Sequence, residues 1–146
     1  MPYKSILVPV DGGSADQQAV EMACRLAKKP RSKVYVIYVI QMSRALPLDA
    51  ALGSETEKGE AALSRAERTA DEEEYEIETE LLQAREVGPA VVEEAVEREV
   101  DLIVMGLSYR KRFGQFTLGE AIPYVLKNAP CRVLISREAI AVPEKA

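Results

Sequence analysis

The sequence predicts an α/β domain: a five-stranded parallel sheet of strand order 3-2-1-4-5, with helices on both faces in a Rossmann-like arrangement. Three observations predict it. Short apolar runs alternate with longer segments of helical period, the pattern of strand–helix–strand units joined by right-handed crossovers. The runs at residues 5–10, 33–39 and 101–105 are apolar almost throughout, as strands buried on both faces are. The run at residues 75–81 instead sets Tyr75, Ile77, Thr79 and Leu81 against Glu76, Glu78 and Glu80, the alternation of a half-exposed strand at a sheet edge.

In chain order, the first strand (SILVPV, 5–10) ends at the turn signal Asp11-Gly12-Gly13. Ser14 and Gln17 have capping-box spacing, so a helix is expected from there to about Lys29, with Ala19, Val20, Ala23, Cys24 and Ala27 inward and Pro30 as its stop. The second strand is KVYVIYV (33–39). Residues 40–53 contain Pro47 and Gly53 and show no period, so they read as a loop. Ser54 and Glu57 form a second candidate capping box, opening a helix to about Glu73 whose Ala62, Ala66 and Ala70 lie among many charges. Glu72-Glu73-Glu74 reads as its exposed end. After the alternating third strand, Gly88-Pro89 opens a helix with Val91, Val92, Ala95 and Val96 inward. The fourth strand is DLIVM (101–105). A loop over residues 106–118 leads to a short helix ending at Asn128, and a last strand occupies residues 131–136. The 146 residues suit one domain with one core, and residues 137–146 read as a loose tail.

Composition removes several function classes. The net charge of −5 argues against broad attraction to nucleic acid or anionic lipid. No apolar run approaches the ~20 residues that span a bilayer, and the N-terminal run is too short for a signal peptide, so the cytoplasm is the expected compartment. The chain has no histidine, which rules out Ser-His-Asp and Cys-His catalysis. Cys24 and Cys131 fit no metal or redox spacing and read as two buried thiols. The acidic residues form no metal-ligand cluster, and no catalytic constellation is visible.

In a 3-2-1-4-5 sheet the strand order reverses between strands 1 and 4, and ligands bind beyond the carboxyl ends of the strands at that reversal. The loops there begin at Asp11 and at Gly106.

Three blocks carry a family resemblance: Ile6-Leu7-Val8-Pro9-Val10-Asp11-Gly12, Asp101-Leu102-Ile103-Val104-Met105-Gly106, and Asn128-Ala129-Pro130-Cys131-Arg132-Val133-Leu134-Ile135. In order and spacing they resemble the universal stress proteins. The resemblance implies the five-stranded fold, a homodimer and a stress-related role. It also implies a nucleotide site at Pro9, Val10, Asp11, Val39, Met105, Gly106, Tyr109, Gly119, Glu120 and Ala121. Members that bind ATP carry a glycine, two residues, a second glycine, nine residues, a third glycine, then serine or threonine. Here Gly106 and Gly119 fit, but Tyr109 replaces the second glycine and Glu120 the hydroxyl residue. Tyrosine adds a ring where backbone should approach a phosphate, and Glu120 brings a charge to a helix start that would otherwise hold an anion. Thr117 and Glu120 have capping-box spacing, so Glu120 could close the helix end itself. Pro123 disfavours helical geometry at Ile122 and could delay or kink that helix.

Each residue has a plainer reading. Asp11 is equally a turn residue, Val39 and Met105 are equally core, and Arg110-Lys111-Arg112 is a contact for a phosphate or an acidic partner, or else a solvated loop. The last strand carries Val133, Leu134 and Ile135 at an edge that charge or proline would normally protect, and the family pairs this strand across a dimer axis. The expectation is a homodimeric stress-response interaction or regulatory protein, with a protein partner and no tightly held cofactor. The alternative is an ATP-binding member with an altered phosphate loop and slow hydrolysis.

Overall fold

The computed structural model describes residues 3–108, 111–112, 115–116 and 120–139. Its elements are β1 (Ser5–Val10), α1 (Asp16–Lys28), β2 (Lys33–Gln41), α2 (Gly53–Glu72), β3 (Glu78–Ala84), α3 (Val87–Glu97), β4 (Leu102–Leu107), β5 (Lys111–Arg112), β6 (Gln115–Phe116), α4 (Ala121–Asn128) and β7 (Arg132–Arg137). The main sheet has the order β3-β2-β1-β4-β7, all parallel, so the expected fold and order are those observed, with β7 as the fifth strand.

The pleat of β1 explains the two layers. Ile6, Val8 and Val10 point to one face and pack with Val20, Ala23, Ala62 and Ala66 of α1 and α2. Leu7 points to the other and packs with Val91 and Ala95 of α3 and Ile122 and Val125 of α4. All six residues of β1 are buried, as a central strand requires. Small residues let α2 lie close: Ala62, Ala66 and Ala70 form its inward stripe. Asp101 clamps the amino end of the sheet by accepting from the Lys4 and Ser5 amides.

Several boundaries and contacts differ from expectation, each for a local reason. Neither capping box forms. The residues flanking α1 and α2 on their N-terminal sides are Ala15 and Leu52, and neither makes a side-chain cap. Ser14 instead donates to Glu138, and Gln17 to Glu21. β3 begins three residues later than its alternation begins. The backbone at Glu74 has φ +56°, and Tyr75 and Ile77 pack against the core before strand pairing starts. Val96, expected inward, is 56% exposed, because α3 turns Val91 and Ala95 to the sheet. Glu73 is not a free helix end: it pairs with Arg25 at 2.9 Å and Lys28 at 3.7 Å. Cys24 is buried but Cys131 is only partly so, since it precedes an edge strand. The loop after β4 contains a two-stranded antiparallel ribbon, β5 with β6. The expected tail begins too early: Arg137 belongs to β7 and the Glu138 amide donates to Leu107. Residues 140–146 lie outside the described residues.

Candidate functional site

A cleft of about 780 Å³ opens beyond the carboxyl ends of β1 and β4, where the strand order reverses. Three chain segments build one wall from the residues upward. β1 runs straight into Asp11, whose carboxylate Oδ1 accepts from the Gly13 amide at 2.7 Å, an Asx turn. Gly12 follows at φ +84°, a conformation that a side chain would strain. Asp16, in the first turn of α1, reaches back: its Oδ1 accepts from the Asp11 amide at 3.2 Å and its Oδ2 from the Gly12 amide at 2.8 Å.

From β4 come Met105, Gly106 and Leu107, and Ser108 follows directly after the strand. Gly106 is there for packing. A Cβ on it would stand 2.6 Å from the carbonyl oxygen of Ala15, so only glycine lets the start of α1 rest on the end of β4. Ser14 hydroxyl donates to Glu138 at 2.7 Å and lies 3.3 Å from Ser108 hydroxyl, tying the turn to the chain just after β7.

The opposite wall is the start of two helices. Glu86 precedes α3 in extended conformation, and Val87, Gly88 and Pro89 form that helix's first turn. Glu120, Ala121 and Ile122 open α4, with Tyr124 beyond them; Gln41, the last residue of β2, also lines the cleft. α4 begins at Ala121. Pro123 sits in its first turn, where its missing N–H costs no intrahelical bond, so it neither delays nor breaks the helix. Glu120 makes no side-chain cap hydrogen bond, so the expected closure of the helix end by its carboxylate does not occur; Thr117, its expected partner, lies outside the described residues.

Of the expected nucleotide-site residues, Pro9, Val10, Asp11, Met105, Gly106, Glu120 and Ala121 line this cleft together. Val39 does not line it and packs against the core cluster on the α3–α4 face. Tyr109 and Gly119 lie outside the described residues. Sequence reasoning missed Asp16, Gln41, Glu86, Ser108 and Tyr124. Asp16 had a signal, a second acid just across the glycine turn from Asp11. The others come together only through strand register and helix packing.

The cleft is acidic: Asp11, Asp16, Glu86 and Glu120 all line it. Burial, and then the charge of Asp11, push Asp16 up from 3.8 to about 6, against the lowering effect of its two amide bonds. Among the described residues no group of three or more potential metal-ligating side chains converges. None of the described helices is long and apolar enough to cross a membrane.

The chain was compared with known proteins. The model of the universal stress protein family matches residues 2–137. Universal stress protein MJ0531 of Methanocaldococcus jannaschii is 34% identical over 142 residues, spanning 93% of this chain and 83% of that one. A universal stress protein from Archaeoglobus fulgidus has a similar structure, with a TM-score of 0.77 and 22% identity, covering 91% of this chain and 98% of that one. An Archaeoglobus fulgidus universal stress protein solved in complex with dAMP matches with a TM-score of 0.72 and 23% identity, covering 92% and 98%.

Proposed function

The chain belongs to the universal stress protein family, and from that premise we propose that it is a homodimeric regulatory protein of the stress response whose cleft admits an adenine nucleoside, or a nucleotide of low charge, and does not hold ATP tightly. The observation that carries this reading is the set of four carboxylates around the cleft. A carboxylate about 5 Å from a phosphate charge opposes it by roughly 3 kcal/mol at an effective dielectric near 20, and ATP brings several such charges. The cleft's size, about 780 Å³, falls in the range of small-molecule sites, about 300–1,000 Å³. The dAMP complex of a fold neighbour supports adenine nucleotides as the ligand class.

Calorimetric titration of adenosine and of Mg-ATP into the purified protein tests the reading. Adenosine should bind measurably and Mg-ATP more weakly; Mg-ATP binding tighter than adenosine would overturn it. That second outcome would favour the ATP-holding alternative with slow hydrolysis. The basic run Arg110-Lys111-Arg112 in the sequence is the feature that favours that alternative.

The dimer would form on β7. This strand pairs on one side with β4 and stands at the sheet's edge on the other, and its Val133, Leu134 and Ile135 are each only partly buried. Apolar residues at an unprotected edge favour pairing with a second strand. Two free thiols, Cys24 and Cys131, support a reducing compartment such as the cytoplasm.

A further inference from the structure

Tyr124 is the one aromatic residue that lines the cleft among the described residues. The apolar side chains of the sheet wall offer little surface, with Val10 5% and Met105 6% exposed. Several large hydrophobic residues do stand exposed on the described surface, but of these only Tyr124, at 39%, belongs to the cleft. Its place is fixed by a neighbour on α3. A Cβ on Gly88, in the first turn of that helix, would stand 2.9 Å from the Cβ of Tyr124 and 3.0 Å from its Cγ and Cδ1. Those separations are closer than carbon atoms pack. They also involve the root of the tyrosine, which cannot swing away as the tip of a long side chain can. The bare Gly88, itself buried, therefore seats Tyr124 where the two helices meet at the cleft.

A tyrosine seated on a cleft wall and partly open has a specific chemical use. Its ring gains from offset stacking on another flat ring what it cannot gain from a sugar or an aliphatic chain, and every nucleobase has such a face. We propose that Tyr124 is a specificity-determining residue: the platform on which the base of a bound nucleoside stacks, giving the cleft a preference for purine over pyrimidine nucleosides because a fused ring covers more of the tyrosine. This rests on reading the cleft as a nucleoside site. Tyr124 belongs to the helix wall, whereas Asp11 and Asp16 belong to the β1–α1 turn on the facing wall. The two walls therefore divide the ligand by chemistry: the ring takes the base, and carboxylates accept from hydroxyl groups such as those of a ribose. The carboxylates do not distinguish ring size, since adenosine and uridine carry the same sugar. Discrimination between those two falls to the stacking surface.

The test is calorimetric titration of adenosine and of uridine into the parent protein, Tyr124→Phe and Tyr124→Leu. The parent should bind adenosine several-fold more tightly than uridine; an equal or reversed preference would overturn the proposal. Phenylalanine keeps the ring and should keep that ratio. Leucine is apolar, a good helix former and has no π-face, so Tyr124→Leu should lose about tenfold in affinity for adenosine. It should lose less for uridine, and the ratio should shrink toward one. A role confined to shaping the wall would weaken both nucleosides by the same factor, so an unchanged ratio in Tyr124→Leu defeats the inference. So does a Tyr124→Phe variant that behaves like Tyr124→Leu, since the effect would then belong to the hydroxyl. If adenosine binds the parent and Tyr124→Leu alike, the role of Tyr124 falls while the nucleoside reading stands. If neither nucleoside binds the parent, the nucleoside reading falls and takes this inference with it. Should Tyr124→Leu not fold, the parent decides alone by proton NMR. Stacking on the tyrosine should move the adenine ring protons of bound adenosine upfield, and signals that do not move would overturn it.

Discussion

The electrostatics of Asp16 can be read in the free protein through stability. The folded state holds its proton more strongly than the unfolded chain does, at about 6 against 3.8. That favourable contribution is fully present below about pH 4 and is lost as pH rises through about 6. At pH 7 and above the ionised carboxylate is therefore a net cost of folding. A rise from 3.8 to about 6 corresponds to roughly 3 kcal/mol, at about 1.4 kcal/mol per tenfold step. Asp16 is only partly buried, so solvent screening reduces this to on the order of 1–2 kcal/mol. Asp16→Asn is neutral at every pH and removes the cost. It keeps one acceptor oxygen and loses the other, a penalty of about 0.5–1.5 kcal/mol that exposed Gly12 can offset with water. This penalty does not depend on pH, so it shifts the whole difference curve without changing its slope. The assay is urea unfolding followed by circular dichroism at half-unit steps from pH 4 to 7.5, for parent and variant, with linear extrapolation. The stability difference, variant minus parent, should rise by about 1–2 kcal/mol between pH 4 and 7. A difference that stays flat across that window would refute the reasoning, because no other group distinguishes the two chains.

Three further outcomes are expected. Gly106→Ala should lose about 1–3 kcal/mol without any ligand present, read by urea unfolding, because its Cβ would meet the Ala15 backbone at 2.6 Å; an unchanged midpoint would show that the start of α1 yields freely. Light scattering at micromolar concentration should report twice the chain mass, and Ile135→Lys should dissociate or precipitate the protein; a monomeric parent would end the β7 dimer. The double variant Tyr109→Gly/Glu120→Ser should bind ATP more tightly than either single variant, and by more than the two effects combined, since both act on one site. Because Glu120 makes no cap hydrogen bond, its replacement should cost only the helix-dipole contribution of about 0.3–1 kcal/mol. A folded double variant that binds ATP no better than the parent would move the obstacle elsewhere, with Asp16 the next candidate.

Sheet order was legible because it depends on side-chain environment. Apolar runs marked the strands covered on both faces, and the acid alternation at 75–81 marked the edge. Register was not legible. Tyr75 and Ile77 belong to the core without belonging to the strand, because packing against α1 and α2 requires only the right direction of a side chain, while pairing requires backbone position relative to β2. The same limit hid half of the cleft. Gln41 and Glu86 reach it because β2 runs two residues past its expected end and because Glu86 follows β3 into α3. The caps failed for a different reason. Ser14 had the spacing of a capping residue but found a stronger partner in the Glu138 carboxylate, 124 positions away, which local spacing cannot anticipate.

Gly106 bears on how the family's glycine pattern should be weighed. Its missing side chain is required by the carbonyl of Ala15 whether or not a nucleotide ever binds. The same packing demand would hold glycine at that position in a chain with no phosphate site at all, so Gly106 cannot by itself argue for ATP. Charge bears on the ligand more directly. Each of the four carboxylates lining the cleft opposes a phosphate, and none is consumed by a lysine or arginine ion pair among the described residues. Two of them, Asp11 and Asp16, are held in place by the turn's own amides, so they cannot swing aside without leaving those amides to water or to a ligand. A phosphate brought against these carboxylates meets like charge, whereas a ribose or a base can donate to them without displacing charge. On the proposed reading, the cleft's carboxylates would favour the hydroxyl and amino groups of a nucleoside over the phosphates of a nucleotide.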